Sequence, residues 1–395
     1  MLLALISGFA LSQAFRTVTA IIATGLRAEF GLTAQALGVF AGAFAFAFGG
    51  MQLFMGVGID VFGVRRTLLW AFPLAIAGSF LTALAPGYGT VLLGQILIGL
   101  GCAPAFLVCT VFIARYFSPT HFALMSGVAM GLGGMGMLFT GTPLAWLVEQ
   151  SSWRMGFAVL GALALLAWLW IAWQVHEPAQ SGHGAPGTSV AAALRSYGSL
   201  LRLPHTAGIL ALALVTYAAF LTLRGLWLGP VLIERHGLSL VQSGNVALIV
   251  SLVSLIGPAL FGRADPGPTR RRRWILAFTG VLTVTFAAMA LCNRVWLDIG
   301  GALAVGVLSG FIVLQYADVR SAYLAHLTGR AMAVFTMAMF LGVALAQWLT
   351  GVAATWANQN AVEPYRAVFG LLAVLLALGA VAFWRLPAPP STAKL

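Results

Sequence analysis

The sequence is poor in charge, in lysine and in cysteine. Only 8% of its 395 residues are charged, whereas soluble domains carry about a quarter. Lysine occurs once, at Lys394, and the three cysteines fall within apolar runs without any C-x-x-C pair. These shortages argue against a soluble catalytic domain, a disulfide framework and a zinc site. The formal net charge of +12 comes from arginines distributed between apolar runs along the chain, and positive-inside topology explains them better than nucleic-acid binding.

The sequence is correspondingly rich in apolar residues. They make up 61% of the chain, and the mean hydropathy is +0.98. A helix that crosses a membrane needs roughly 20 apolar residues, so the length accommodates about twelve crossings and little else. We expect the run that starts at Leu2 to be a retained helix and not a signal peptide. The predicted spans are 3–25, 34–56, 67–86, 90–114, 122–145, 155–174, 206–232, 240–262, 274–293, 298–320, 331–356 and 365–385.

A polar segment rich in Gly, Pro and Ser separates six of these spans from the other six. It predicts an N-terminal six-helix bundle (1–175), a central loop (176–205), a C-terminal six-helix bundle (206–386) and a tail (387–395). The basic residues fall unequally on the two sides of the membrane, fourteen against five, which predicts that both termini are cytoplasmic. The fourteen are Arg65, Arg66, Arg115, Arg195, Arg202, Arg263, Arg270, Arg271, Arg272, Arg273, Arg320, Arg330, Arg385 and Lys394.

The two halves resemble each other. The first predicted span is followed by "EFGLTAQALGVFAG" (29–42), and the seventh by "RHGLSLVQSGNVAL" (235–248). The fourth is followed by "SPTHFALMSGVAM" (118–130), and the tenth by "LAHLTGRAMAVFTM" (324–337). Each half therefore looks like a copy of one six-helix unit, as internal repeats in membrane transporters do.

The loop between the second and third spans carries the sequence "GVGIDVFGVRR" (56–66). It resembles the loop signature of the major facilitator superfamily, and the resemblance extends over the whole chain through the twelve spans, the central loop and the repeat. It implies an all-α membrane protein of two pseudo-symmetric bundles and a gating role for the signature residues, with an acid that pairs with an arginine and is released as helices rock apart. The signature residues are Gly56, Asp60, Gly63, Arg65 and Arg66; Val61 and Val64 stand where the family usually has basic residues.

One arginine lies inside an apolar span in each half. Arg16 precedes Gly31 by fifteen positions, and Arg224 precedes Gly237 by thirteen, so the repeat makes the two arginines symmetry mates with a gap of two residues. A cation at the centre of a span costs about 2.5 to 3.5 kcal/mol on the insertion scale. We therefore predict that Arg16 and Arg224 flank one cavity and bind an anion, although pairing with backbone carbonyls or an intramembrane acid is the alternative.

The two arginine stretches are similar to those of the organophosphate/inorganic-phosphate antiporter branch of the same superfamily. Gly8 and Phe9 precede the first arginine as they do there, and Trp227 and Pro230 follow the second with shorter spacing. That branch has a histidine where this chain has Met130, so a carboxylate or another small anion is at least as good a prediction as a phosphate ester. The predicted substrate-binding residues are Arg16, Arg224, Gln13, Tyr217 and Met130.

Asp318 is the acid placed deepest in a predicted span, and it is the candidate for proton coupling. Arg320 lies two residues away and does not face it on a helix, whereas Gln315 shares its face. A gating or capping role is the alternative. The methionines on the fifth and eleventh spans raise the possibility of Cu(I), but their spacing scatters the sulfurs around the helix and favours packing.

These observations predict a secondary transporter that moves a small anionic solute by alternating access across the inner (plasma) membrane. The alternatives are a proton-coupled exporter of drugs or other hydrophobic solutes, a copper permease and a receptor that binds without transport. We expect no enzymatic activity, no cofactor, no bound metal and no nucleic-acid partner. The expected partners are the solute, the lipid bilayer and either protons or a counter-transported anion, and we expect a monomer.

Overall fold

The computed structural model describes residues 1–176, 198, 200–387 and 389, without the side chains at 56, 57, 60, 61, 119, 120, 122, 123, 325 and 326. Within these ranges the protein is all helical, which confirms the predicted class. Eleven helices are long and apolar enough to cross a membrane, and a bent pair at the N-terminus completes the twelve spans. They are span 1, Leu2–Thr17 with Thr19–Phe30; span 2, Ala34–Met55; span 3, Phe62–Ala83; span 4, Tyr88–Tyr116; span 5, Pro119–Phe139 with Thr142–Gln150; span 6, Trp153–Gln174; span 7, Pro204–Arg235; span 8, Leu240–Arg263; span 9, Pro268–Leu291; span 10, Val295–Ala322; span 11, Ala325–Gln359; and span 12, Pro364–Arg385.

Most predicted spans agree with the helices to within about five residues, but spans 9 and 11 each begin six residues earlier than predicted, and span 1 is longer and bent. Span 1 continues to Phe30 and bends by 48° between its two segments. The Thr17 hydroxyl donates to main-chain carbonyls one turn earlier, an interaction that bends helices. Span 9 begins at Pro268, so the arginines 270–273, predicted to lie in a loop, occupy its first turns. Proline suits the first turn of a helix because backbone N–H groups there have no acceptor within the helix, so the lack of an N–H costs nothing. The predicted central loop lies mostly outside the described residues.

The local structure after spans 1 and 7 repeats. Gly31 and Gly237 end these spans with φ of 60° and 70°, a left-handed conformation that glycine adopts without steric cost. Two residues later, the hydroxyl of Thr33 accepts from the Ala36 N–H, and that of Ser239 accepts from the Gln242 N–H, each at 3.1 Å. Spans 1 and 7 therefore end, and spans 2 and 8 begin, with the same local structure at aligned positions of the two halves.

The halves pack through matching helices. Span 2 lies along span 11, span 5 against span 8, and span 1 against span 7. If the two halves are exchanged by the repeat, the first two pairs interchange and the third maps onto itself. We call the end of the bundle that is opposite to the two termini the outer end. Loops such as 31–33, 151–152 and 236–239 lie there because each span reverses the direction of the chain.

Candidate functional site

Arg16 sits on the inner segment of span 1, two residues before the bend. Its Nη2 donates to the Ser12 hydroxyl at 3.3 Å. The guanidinium carbon lies 4.6 Å from the ring centre of Phe48 on span 2 and 4.8 Å from that of Phe340 on span 11. The cation is therefore held between one aromatic ring from each half, an arrangement worth about 0.5 to 2 kcal/mol per ring.

Arg16 is partly buried and lacks the acidic partner that a cation inside a membrane span usually needs. Among the described side chains, no carboxylate lies within ion-pair distance of its guanidinium. Its Nε is buried and without a hydrogen-bond partner. Aromatic faces and one hydroxyl leave most of the five guanidinium donors unused, so the group retains the capacity to bind an anion with two parallel hydrogen bonds.

The other residues predicted to line the site surround Arg16 unequally. Tyr217 of span 7 packs edge-on against Phe340, with ring centres 5.5 Å apart, so it belongs to the same aromatic cluster. Gln13, one turn before Arg16, is half-buried and has an unpartnered Oε1. Met130 is 45% exposed on span 5. The substrate roles of all three stay predictions.

A narrow void with no room for a water molecule lies next to Arg16, between the two halves. Its polar lining consists of Arg16, Thr19 of span 1, Gln95 of span 4 and Gln347 of span 11. The two glutamines are 1% and 2% exposed, and each has a buried side-chain atom with no partner. We did not identify them from the sequence. Glutamine within an apolar span was the available signal, but the sequence does not show which face of a helix points inward.

Arg224 is completely buried on span 7, in a π-helical turn that runs from Leu223 to Trp227. Such turns often accompany functional residues. Its Nε donates to the Ser251 hydroxyl at 2.8 Å and to the Ala247 carbonyl at 3.1 Å, both on span 8. Its Nη2 donates to the carbonyls of Met137 and Thr140 on span 5, at 3.1 and 3.3 Å. Only Nη1 is buried without a partner.

The two arginines occupy equivalent places in the repeat. Arg16 lies between spans 2 and 11, and Arg224 between spans 8 and 5, which are the same pair with the halves exchanged. Arg224 does not line the void beside Arg16, and Gly225 of span 7 packs against the Arg16 carbonyl of span 1. Arg224 donates to backbone carbonyls, the alternative that the sequence left open. The joint anion site of the two guanidiniums stays a prediction.

The outer end is closed by polar contacts between the halves. Arg27 of span 1 forms an ion pair with Glu234 of span 7. The Gln35 N–H donates to the Thr355 hydroxyl at 2.8 Å, and the Thr142 hydroxyl donates to Asn245 Oδ1 at 2.6 Å. These contacts join spans 1, 2 and 5 to spans 7, 11 and 8, so opening the outer end requires all of them to break.

The signature loop is only partly described. Gly63 has φ of 84° and interrupts the helix between spans 2 and 3, which explains why glycine occurs there. The Arg65 Nη2 donates to the Ala172 carbonyl of span 6 at 3.0 Å, and Arg66 is exposed. The Asp60 side chain and the surroundings of Gly56 lie outside the described part of the structure. The gating role of this motif therefore stays a prediction.

Asp318 pairs across to span 9 rather than along its own helix. Its carboxylate accepts from Arg272 at 3.5 Å, and the neighbouring Gln315 exchanges hydrogen bonds with Thr216 of span 7. The loop between spans 8 and 9 contains an ion pair, between Asp265 and Arg271 at 2.6 Å. The arginine in turn donates to the Ala317 carbonyl at 3.2 Å.

No cluster of three or more metal-ligating side chains occurs within the described residues.

Twelve apolar helices in two matching halves, joined at the outer end around a buried cation, define a polytopic membrane protein of the two-bundle transporter class. Residues 4–324 match the family model of the Major Facilitator Superfamily, and the chain belongs to this family of transporters.

Relatives and solved structures agree with this assignment. The chain is 24% identical to the hexuronate transporter of Bacillus subtilis (strain 168) over 80% of its own length and 74% of the relative's. It is 29% identical to the probable sulfoacetate transporter SauU of Cupriavidus necator over 35% of its own length and 33% of the relative's. A bacterial homologue of the human lysosomal transporter Spinster, in an inward-facing and occupied conformation, superimposes with a TM-score of 0.74 at 17% identity, covering 97% of this chain and 95% of the other.

Proposed function

We propose that the protein moves a small anionic solute across the membrane by alternating access and binds it at Arg16. The observation that carries this proposal is the guanidinium itself, which lies between the halves without an acidic partner among the described residues. A cation inside a span is costly, so it persists where an interaction compensates for it. An anionic solute supplies that interaction for part of the transport cycle.

The geometry around Arg16 supports binding that changes with conformation. Phe48 belongs to the N-terminal half and Phe340 to the C-terminal half, and their rings are 4.2 Å apart. When spans 2 and 11 separate, the two rings part and the guanidinium loses one of its aromatic faces. An anion bound there contacts both halves, which is the requirement for coupling solute binding to the rocking motion.

The names of the two relatives support an anionic solute. Hexuronate carries a carboxylate and sulfoacetate carries a carboxylate and a sulfonate. A guanidinium suits both groups because its planar donors match two acceptor oxygens. We also propose that transport is across the plasma membrane and is coupled to protons or to a counter-transported anion. The unequal distribution of basic residues supports cytoplasmic termini.

Uptake into proteoliposomes tests this proposal. We expect purified protein to accumulate at least one radiolabelled anion from a panel of hexuronates, aldonates, sulfonates and phosphate esters. Arg16→Ala lowers the affinity for that anion by roughly ten- to a hundredfold, as loss of a charge-assisted contact predicts. Arg16→Lys restores part of it, because the charge remains while the planar fork is lost.

The matched control is Arg294→Ala, which removes an exposed arginine from an outer loop. It leaves the affinity unchanged if the effect belongs to Arg16 and not to the overall positive charge. Uptake of a cationic solute, or normal anion affinity in folded Arg16→Ala protein, would refute the proposal.

A further inference from the structure

Two buried glutamines line the void beside Arg16. Gln95 comes from span 4 of the N-terminal half and Gln347 from span 11 of the C-terminal half. Gln95 has an unpartnered Nε2, which is a donor, and Gln347 has an unpartnered Oε1, which is an acceptor. Neither atom contacts solvent or another polar group, so the protein keeps one donor and one acceptor unsatisfied in its apolar interior.

Water in the void does not supply the missing hydrogen bonds of the two amides. Phe15, Phe44 and Leu221 belong to its largely apolar wall, and it is too narrow to admit a water molecule. Buried polar atoms are nearly always satisfied by protein or water, and exceptions in a folded protein call for an explanation. Span 2 covers the void on the outer side, where Gly38 lies directly against the main chain of Gln347. Separation of spans 2 and 11 therefore widens the void and exposes both amides to an incoming solute.

We infer that Gln95 and Gln347 form a subsite for a hydroxyl group, so that the transported anion is a hydroxylated acid. This inference rests on the proposed function, since Arg16 lines the same void and would bind the acid group. A hydroxyl both donates and accepts, and it satisfies both amides at once. A carboxylate only accepts and would leave the Gln347 oxygen unpaired.

The position of the subsite also gives it a mechanical role. Its two amides belong to different halves, and the hydroxyl links span 4 to span 11 across the seam between the halves. A solute that carries only an acid group contacts Arg16 but leaves this seam without a polar link. The hydroxyl therefore contributes to closing the outer end over the bound solute, in addition to affinity.

A matched pair of probes tests the inference. Gluconate is a linear polyhydroxy carboxylate, and hexanoate is a linear carboxylate with the same number of carbons and no hydroxyl. We expect wild-type protein in detergent to bind gluconate at least about tenfold more tightly than hexanoate, measured by calorimetry. Gln95→Leu and Gln347→Leu each weaken gluconate binding by about five- to tenfold, the effect of one neutral hydrogen bond. Neither variant changes hexanoate affinity more than about twofold.

The ratio of the two affinities separates recognition from folding, because a damaged fold lowers both. Gln52→Leu is the control: this glutamine is also buried, but its amide donates to the carbonyls of Phe48 and Ala103 and does not line the void. It leaves the ratio unchanged.

The outcomes distinguish the inference from the proposal beneath it. If wild-type protein binds hexanoate as tightly as gluconate, and Arg16→Ala abolishes both, the anion site stands and the hydroxyl subsite is wrong. If Gln95→Leu and Gln347→Leu leave the ratio unchanged, the subsite is also wrong. If neither probe binds wild-type protein, the inference is overturned, and the uptake panel decides the proposed function separately.

Discussion

Arg27 of span 1 donates a hydrogen bond of 2.7 Å to Glu234 of span 7, and this ion pair joins the two halves at the outer end. The second oxygen of Glu234 accepts from the Tyr365 hydroxyl of span 12 at 2.6 Å. The carboxylate is thus fixed within the C-terminal half while it holds a charge of the N-terminal half. Because the pair is partly exposed, it stabilises the closed outer end modestly and breaks without a large barrier.

Glu234→Gln is expected to open the outer end more often. A partly exposed ion pair is worth about 0.2 to 1 kcal/mol, so the open population rises by up to about fivefold. Spin labels at residues 151 and 360, in outer loops of opposite halves, measure the change as a larger share of long distances. Glu149→Gln, which neutralises an exposed acid near the same end, serves as control. An unchanged distance distribution in Glu234→Gln would show that this ion pair does not hold the outer end closed.

Arg16 and Arg224 are expected to respond differently to the same substitution. Arg224→Met removes five hydrogen bonds to span 5 and span 8 acceptors that stay buried, and we expect a loss of stability of at least about 1 to 3 kcal/mol. Arg16→Met is expected to weaken anion binding while the melting temperature stays within a few degrees. Thermal unfolding and calorimetry on the folded fraction separate the two effects. Equal loss of anion affinity in both variants would instead support the joint site predicted from the sequence.

Asp265 is expected to stabilise the protein at neutral pH and to lose this effect in acid. Its hydrogen bonds with Arg271 hold the pKa of the carboxyl below its usual range, although partial burial opposes them. A lowered folded-state pKa adds stability above the unfolded-state value, near 4, and the gain disappears as the pH falls through the folded-state value. Asp265→Asn therefore unfolds at a lower temperature than wild type at neutral pH, and the two converge in acid.

The neighbouring Arg270→Gln provides the comparison for Asp265, because its exposed side chain forms no hydrogen bond with that carboxylate. It should show no such convergence. A constant difference between Asp265→Asn and wild type at every pH would mean that the ionisation of Asp265 does not contribute.

The native cysteines report the orientation of the protein in the membrane. Cys292 is exposed in the outer loop between spans 9 and 10, whereas Cys102 and Cys109 are buried. If both termini are cytoplasmic, a membrane-impermeant maleimide labels Cys292 in intact cells and leaves Cys292→Ser protein unlabelled. A cysteine introduced at residue 185 of the Cys292→Ser protein should react only after the cells are opened. The reverse pattern would invert the proposed topology.

Much of the fold could be predicted because its signals are local. The length and composition of an apolar run are enough to predict a membrane-spanning helix, and the twelve predicted spans are present. The glycines that end spans 1 and 7 follow from the repeated sequence, and both adopt the left-handed conformation. The bend in span 1 could not be predicted in the same way, because Thr17 also bonds to Thr140, which lies 123 residues away in the sequence.

The candidate site was also predictable only in its local features. The sequence by itself determined that Arg16 and Arg224 lie inside spans, since each interrupts an apolar run and the repeat aligns them. The tertiary structure decided that Arg16 lies between two aromatic rings and that Arg224 is enclosed by carbonyls of spans 5 and 8. It also decided that Gln95 and Gln347 face one void. The physical reason is that hydrophobicity fixes the depth of a residue in the membrane, whereas its neighbours depend on how each helix is rotated about its axis and on which distant helices pack against it.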